Sequence, residues 1–218
     1  QSAQPVVPNQ PINITNNVVS IASSGELVCP STITDARDGE VYSVVRIGNQ
    51  CWLSDNMRYA AAGSFINPAN PSKYYGRLYD WATVMNGSAT SSTNPSGVQG
   101  VCPSGWHLPS DSEWNELELS LGMPAIDTAN NGWRGEHGTY KLKSVMGWNS
   151  AGNGTNSSGF NAFPAGDYLS GSFYQLGDYA YFWSSTEYSG TNAWLRYLSY
   201  GGTRVNRNNF NKTYGYSC

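Results

Sequence analysis

The sequence predicts an α+β fold in which antiparallel strands and long loops outweigh helix. Composition is the first reason. Of 218 residues only 12% are charged, while 13% are aromatic, with 15 Tyr, 8 Trp and 24 Gly. A helical cytosolic enzyme would carry more Lys, Glu and Ala. The second reason is a well-signalled helix start at Ser110, and the third is a run of strand-like segments that closes the chain from Tyr179 onward.

The same totals exclude several function classes. The net charge is -3 and no basic run occurs, so nucleic acid and anionic membranes are poor partners. No apolar stretch approaches the roughly 20 residues of a membrane span. The chain opens at Gln1, without Met or a basic-apolar leader, as a mature exported protein would. Its 4 cysteines, Cys29, Cys51, Cys102 and Cys218, are widely spaced and form no C-x-x-C. With only 2 histidines, His107 and His137, a zinc site is disfavoured. Disulfides in an oxidising compartment are expected, with the pairing left open. Neither a metal nor a cofactor is expected.

Residues 1–28 differ from the rest. "QSAQPVVPNQP" is proline-rich and uncharged, hence extended. Ile12 and Ile14 then alternate, as do Val19 and Ile21, with a slip of register between the pairs. Such a segment is either an edge strand of its own domain or an arm that adds a strand to a neighbour. The remainder, residues 29–218, reads as one domain.

In "TDARDGEVYSVVRIGNQCWL", Asp38-Gly39 marks a turn, Val41, Val45 and Ile47 share a strand face, and Gly48-Asn49 turns the chain into Cys51-Trp52-Leu53. The acidic "DARDG" lacks the alternating carboxylates and closing Glu of a calcium loop. A short helix is expected from about Asp80 to the stop at Asn86-Gly87, with Leu78, Trp81 and Met85 on one face. In "GVCPSGWHLPSDSEW", Ser110 and Glu113 form a capping box, and Pro109 prevents a helix from entering from the N-terminal side. Trp114, Leu117 and Leu121 follow at helical spacing, Gly122 stops the helix, and Trp106 and Leu108 pack beneath it. His107 is read as a hydrogen-bonded structural residue rather than a ligand. From Gly122 to Gly177 the chain is mostly loop, pinned by Trp133, Trp148, Phe160 and Phe163. "YAYFWSSTEYS", "NAWLRYLSY" and "GTRVNRNNF" then form an antiparallel meander, and Cys218 ends a last strand, "KTYGYSC".

Six of these blocks resemble, in order, the Fibrobacter succinogenes major paralogous domain: "DGEVYSVVRIGNQCWLSDNM", "YGRLYDWATVM", "GVCPSGWHLPSDSEW", "FPAGDY", "FWSSTE" and "YGYSC". The resemblance covers about residues 32–218. It implies a C-type-lectin-like fold with two short helices, a twisted antiparallel sheet and a long loop region, distantly related to the formylglycine-generating enzyme group. It also implies secretion or cell-surface display, and the disulfides Cys29–Cys51 and Cys102–Cys218.

The enzymes of that wider fold need residues absent here. Formylglycine-generating oxidases use a reactive late cysteine pair, whereas only Cys218 is late. The iron-dependent branch needs a histidine cluster that His107 and His137 cannot supply. No serine sits in a G-x-S-x-G setting. Calcium-dependent lectins carry Glu-Pro-Asn or Gln-Pro-Asp and a later Trp-Asn-Asp, and none occurs; Glu187 and Asn192 in "TEYSGTN" are a weak substitute. The "DTA" at Asp127–Ala129 resembles a short O-glycosylation motif with Thr128 as acceptor. The expected function is therefore non-enzymatic. One reading is an exported structural or adhesive protein that polymerises by lending Ile12, Ile14, Val19 and Ile21 to the next copy. The alternative is a lectin-like adhesin that binds glycans through its long-loop face.

Overall fold

The computed structural model describes residues 20–23, 26–69, 72–136 and 138–218. Strands β1 (Ser20–Ile21) and β2 (Leu27–Val28) pair antiparallel in a small hairpin of their own. Next come β3 (Thr32–Thr34), β4 (Val41–Ile47) and β5 (Gln50–Leu53), a three-stranded sheet in that order. The Gly48-Asn49 turn falls where the sequence places it, with Ile47 opposite Gln50. Val41 does not join Val45 and Ile47 in the interior; it is 52% exposed. The strand instead turns Tyr42 and Val44 to one hydrophobic cluster and Val45 and Ile47 to another. Its inward face therefore changes midway.

β6 (Ser64–Phe65) and β7 (Leu78–Tyr79) form a short pair that leads into helix α1 (Trp81–Met85). Asp80 caps α1 by accepting the Thr83 N–H at 2.7 Å, and Asn86 ends it in the left-handed conformation at φ 46°. Leu78 belongs to β7 rather than to the helix. Helix α2 (Asp111–Ser120) has the expected capping box: Ser110 Oγ accepts from Glu113 N at 3.1 Å, and Glu113 Oε2 accepts from Ser110 N at 2.9 Å. Two more short helices, α3 (Ala125–Thr128) and α4 (Gly138–Leu142), flank β8 (Gly132–Arg134) inside the stretch read as loop. The two helices implied by the resemblance are thus four among the described residues.

After the β9 (Asp167–Leu169) and β10 (Ser172–Tyr174) hairpin comes the meander β11 (Tyr179–Glu187), β12 (Asn192–Ser199) and β13 (Val205–Asn211). It is joined by β8, giving the order β11-β12-β13-β8. Both faces of this sheet are covered. Tyr181 and Trp183 of β11 enter the first cluster, and the alternating Ala180 and Phe182 enter the second. A strand buried on both faces reads as an unbroken apolar run, and "YAYFW" is one.

The expected final strand is absent. Residues 215–217 make single bridges to Tyr168, Tyr79 and Phe182 instead. Ser217 lies along the outer edge of β11, where Trp183 N–H donates to Ser217 O at 3.2 Å. Two family-like blocks owe a glycine to close approach. A Cβ on Gly100 would lie 2.2 Å from Val84 O, and one on Gly166 2.1 Å from Tyr174 O; both residues have positive φ.

Candidate functional site

The feature with the geometry of a site is a cavity of about 450 Å³ beside β11. That volume falls within the roughly 300–1,000 Å³ of small-molecule and cofactor pockets. Aromatic rings wall it. Trp52 of β5 lies 4.9 Å from Trp114 of α2, centroid to centroid, and Phe160 lies 5.8 and 5.7 Å from the two. Trp183 of β11 and Trp106 complete the apolar lining, to which Leu27 of β2 also belongs. The capping box sets the position of Trp114, one residue beyond Glu113. The hairpin turn sets that of Trp52, paired with Val45.

The indole N–H groups are not equivalent. Trp52 donates to Gln50 Oε1 at 3.1 Å, Trp183 to Tyr79 O at 2.9 Å, and Trp114 to Trp183 O at 3.5 Å. Trp106 Nε1 is buried and finds no acceptor among the described residues. Such a group costs free energy until something accepts from it.

His107 and Glu113 form the polar side of the cavity. The His107 Nε2 is 2.6 Å from Glu113 Oε1, while Glu113 Oε2 takes the backbone N–H groups of Ser96 and Ser110 at 3.0 and 2.9 Å. Burial alone would raise the Glu113 carboxyl, but the hydrogen bonds from His107, Ser110 and Ser96 outweigh it and hold the group below its usual range. His107 is therefore the hydrogen-bonded residue read from the sequence. His137 lies outside the described residues.

The cysteines also meet here. Cys29–Cys51 is a disulfide, as the resemblance implies. Cys102 and Cys218 both line the cavity, but their sulfurs stand 4.0 Å apart, so the second expected bond is not closed. A disulfide requires about 2.05 Å. The contact with Cys102 and burial both push the Cys218 thiol well up. An activated nucleophile needs the opposite shift.

Other expectations fall elsewhere. Among the described residues no group of three or more His, Cys, Asp or Glu is placed to hold a metal ion, and no helix is long and apolar enough to cross a membrane. Trp148, Phe160 and Phe163 are buried and pin the loops, but Trp133 is 42% exposed, edge-on to Tyr197 at 5.0 Å. Glu187 is paired with Lys212, and Asn192 Nδ2 donates to Asn209 at 2.9 Å. Thr128 is half-buried at the end of α3, its Oγ1 donating to Ala125 O at 3.0 Å. Of the arm, Ile12, Ile14 and Val19 lie outside the described residues, and Ile21 is 66% exposed in β1.

A buried ionic network went unread in the sequence. Arg196 of β12 binds Asp111 at 2.6 Å and Glu118 at 2.9 Å, Arg134 of β8 binds Glu118 at 2.8 Å, and Arg207 of β13 binds Asp111 at 2.8 Å. The available signal was the spacing of Asp111, Trp114 and Glu118, which puts two carboxylates on the same helix stripe as the core residues.

The class this defines is an α+β domain of small antiparallel sheets and short helices, with an aromatic cavity beside its long sheet. Over residues 45–218 the chain matches the Fibrobacter succinogenes major domain, and it belongs to that family. No curated protein and no solved structure matched it.

Proposed function

We propose that this protein is a non-enzymatic, exported structural or adhesive subunit that assembles with copies of itself through its N-terminal arm. One observation carries the reading. The described end of the arm pairs only with β2, and Ile21 and Val28 belong to neither hydrophobic cluster of the domain. Apolar side chains at that end of the arm, left outside the domain's own core, suit strand addition on another chain. Head-to-tail contacts of that kind generate open filaments. Export is supported by the Cys29–Cys51 disulfide and the sparse charge. The finer fold within the family, C-type-lectin-like and distantly related to the formylglycine-generating group, is part of the same proposal and rests on the six sequence blocks.

The test is light scattering of the full chain and of a chain lacking residues 1–19, over a range of concentrations, with circular dichroism as a check of folding. Assembly by the full chain alone supports the reading. Equal behaviour of the two chains contradicts it, as does a full chain that stays monomeric throughout.

A second reading, glycan binding by the long-loop face, draws on Trp133. Its half-exposed ring, braced edge-on by Tyr197, offers the flat apolar surface on which a sugar ring packs. A glycan array probed with the wild type and Trp133→Ala separates this reading from the first.

A further inference from the structure

We infer that the cavity beside β11 is the receptor for residues 12–19 of a second copy's arm, held there as an extended segment. The inference rests on arm-mediated assembly and says where that assembly is made.

Three observations converge on this occupant. The first is chemical fit. The cavity is about 450 Å³ and walled by Trp52, Trp114, Phe160 and Trp183. Residues 1–19 contain no Asp, Glu, Lys or Arg, so an arm brings no charge to be desolvated. In an extended chain Ile12 and Ile14 project to the same side, and so present two adjacent aliphatic groups to those rings.

The second is the orphaned indole. Trp106 Nε1 lacks an acceptor, whereas the other three indoles of the lining have theirs. An extended segment carries a main-chain carbonyl at every residue, and once the Trp106 ring turns to bring its buried N–H to the cavity, one of them can accept from it.

The third is position. The described chain begins at Ser20, paired with Val28, and the next residue of β2, Leu27, borders the cavity. An arm leaving one copy therefore starts beside that copy's own receptor. A second copy's arm reaches that receptor next to the point where the first copy's arm begins.

The experiment places a benzophenone amino acid at Ile14 in the full chain. Isotopically light and heavy chains are mixed, irradiated and digested, and the cross-linked peptides are mapped by mass spectrometry. Mixed light–heavy cross-links to the peptides holding Trp52, Trp106 or Phe160 are expected. Ile12→Asp with Ile14→Asp, outside the described domain, is expected to raise the concentration needed for assembly at least tenfold with the circular dichroism spectrum unchanged. Mixed cross-links to the β8 edge or any other surface overturn the cavity as receptor while leaving arm-mediated assembly standing. Cross-links confined to one isotope class show an arm folded on its own domain and overturn both. So does a full chain that never assembles.

Discussion

Arg196 donates from Nε to Oε1 of Glu118 at 2.9 Å, and both side chains are 1% exposed. The pair ties helix α2 to the centre of the long sheet, with Asp111, Arg134 and Arg207 as its neighbours. Burial raises the Glu118 carboxyl despite the arginines beside it. Removing one partner leaves the other charged and dry. Arg196→Ala is therefore expected to destabilise the fold by about 3–5 kcal/mol, read from urea unfolding. A loss under about 1 kcal/mol would mean that Arg134 and Arg207 take over both carboxylates.

Acid should loosen the site. The folded Glu113 and Asp111 carboxyls both lie below their ordinary values, Asp111 because hydrogen bonds and charge from Arg207 and Arg196 outweigh its burial. A depressed folded pKa contributes stability that is present above the unfolded value and lost as pH falls through the folded one. Unfolding free energy is expected to decline as the pH drops below about 4.5. Glu113→Gln is expected to flatten that decline, as pH-dependent chemical unfolding would show.

Asp167 has the opposite sign. Burial lifts its carboxyl to about 6, and its Oδ1 has no partner among the described residues. Its contribution is fully present below the unfolded pKa and is lost as pH rises through about 6. Asp167→Asn cannot ionise. It is expected to stabilise the protein at pH 8 by up to ~3 kcal/mol and to do little at pH 3. Thermal unfolding at the two pH values checks both halves.

Cys102 and Cys218 stand 4.0 Å apart, close enough for a small movement to bring them to bonding distance. Incubation with oxidised glutathione is expected to remove both thiols as a second intrachain disulfide, each pair of protein hydrogens reducing one glutathione disulfide. The bond would close a loop across a separation of 116 residues, worth about 4–5 kcal/mol in the chain-entropy model. Cys102→Ser should lower the melting temperature of the oxidised protein and leave that of the reduced protein much less changed. Intact mass and thiol titration report the closure.

Local chemistry made much of this fold legible. Asp80, Asn86, Ser110 and Glu113 announce their helices because caps act within a turn of chain. Gly48-Asn49 announces its hairpin in the same way. What the sequence hides is long-range partnership. β8 is only Gly132–Arg134, and it becomes a strand because β13 lies beside it. Arg196 reads as the polar position of an alternating strand, and only the packing of α2 on that face makes it interior. Val41 is misread because β4 crosses two clusters. The cavity is hidden for a related reason: Trp106 and Trp114 are legible as packed residues, but the space they share with Trp52 and Trp183 is a property of how four segments meet.

If copies of this chain join through the arm, negative-stain electron microscopy of the full chain beside the chain lacking residues 1–19 will show it. Filaments are expected from the first and single folded particles from the second. Single particles from both, or filaments from both, would contradict it.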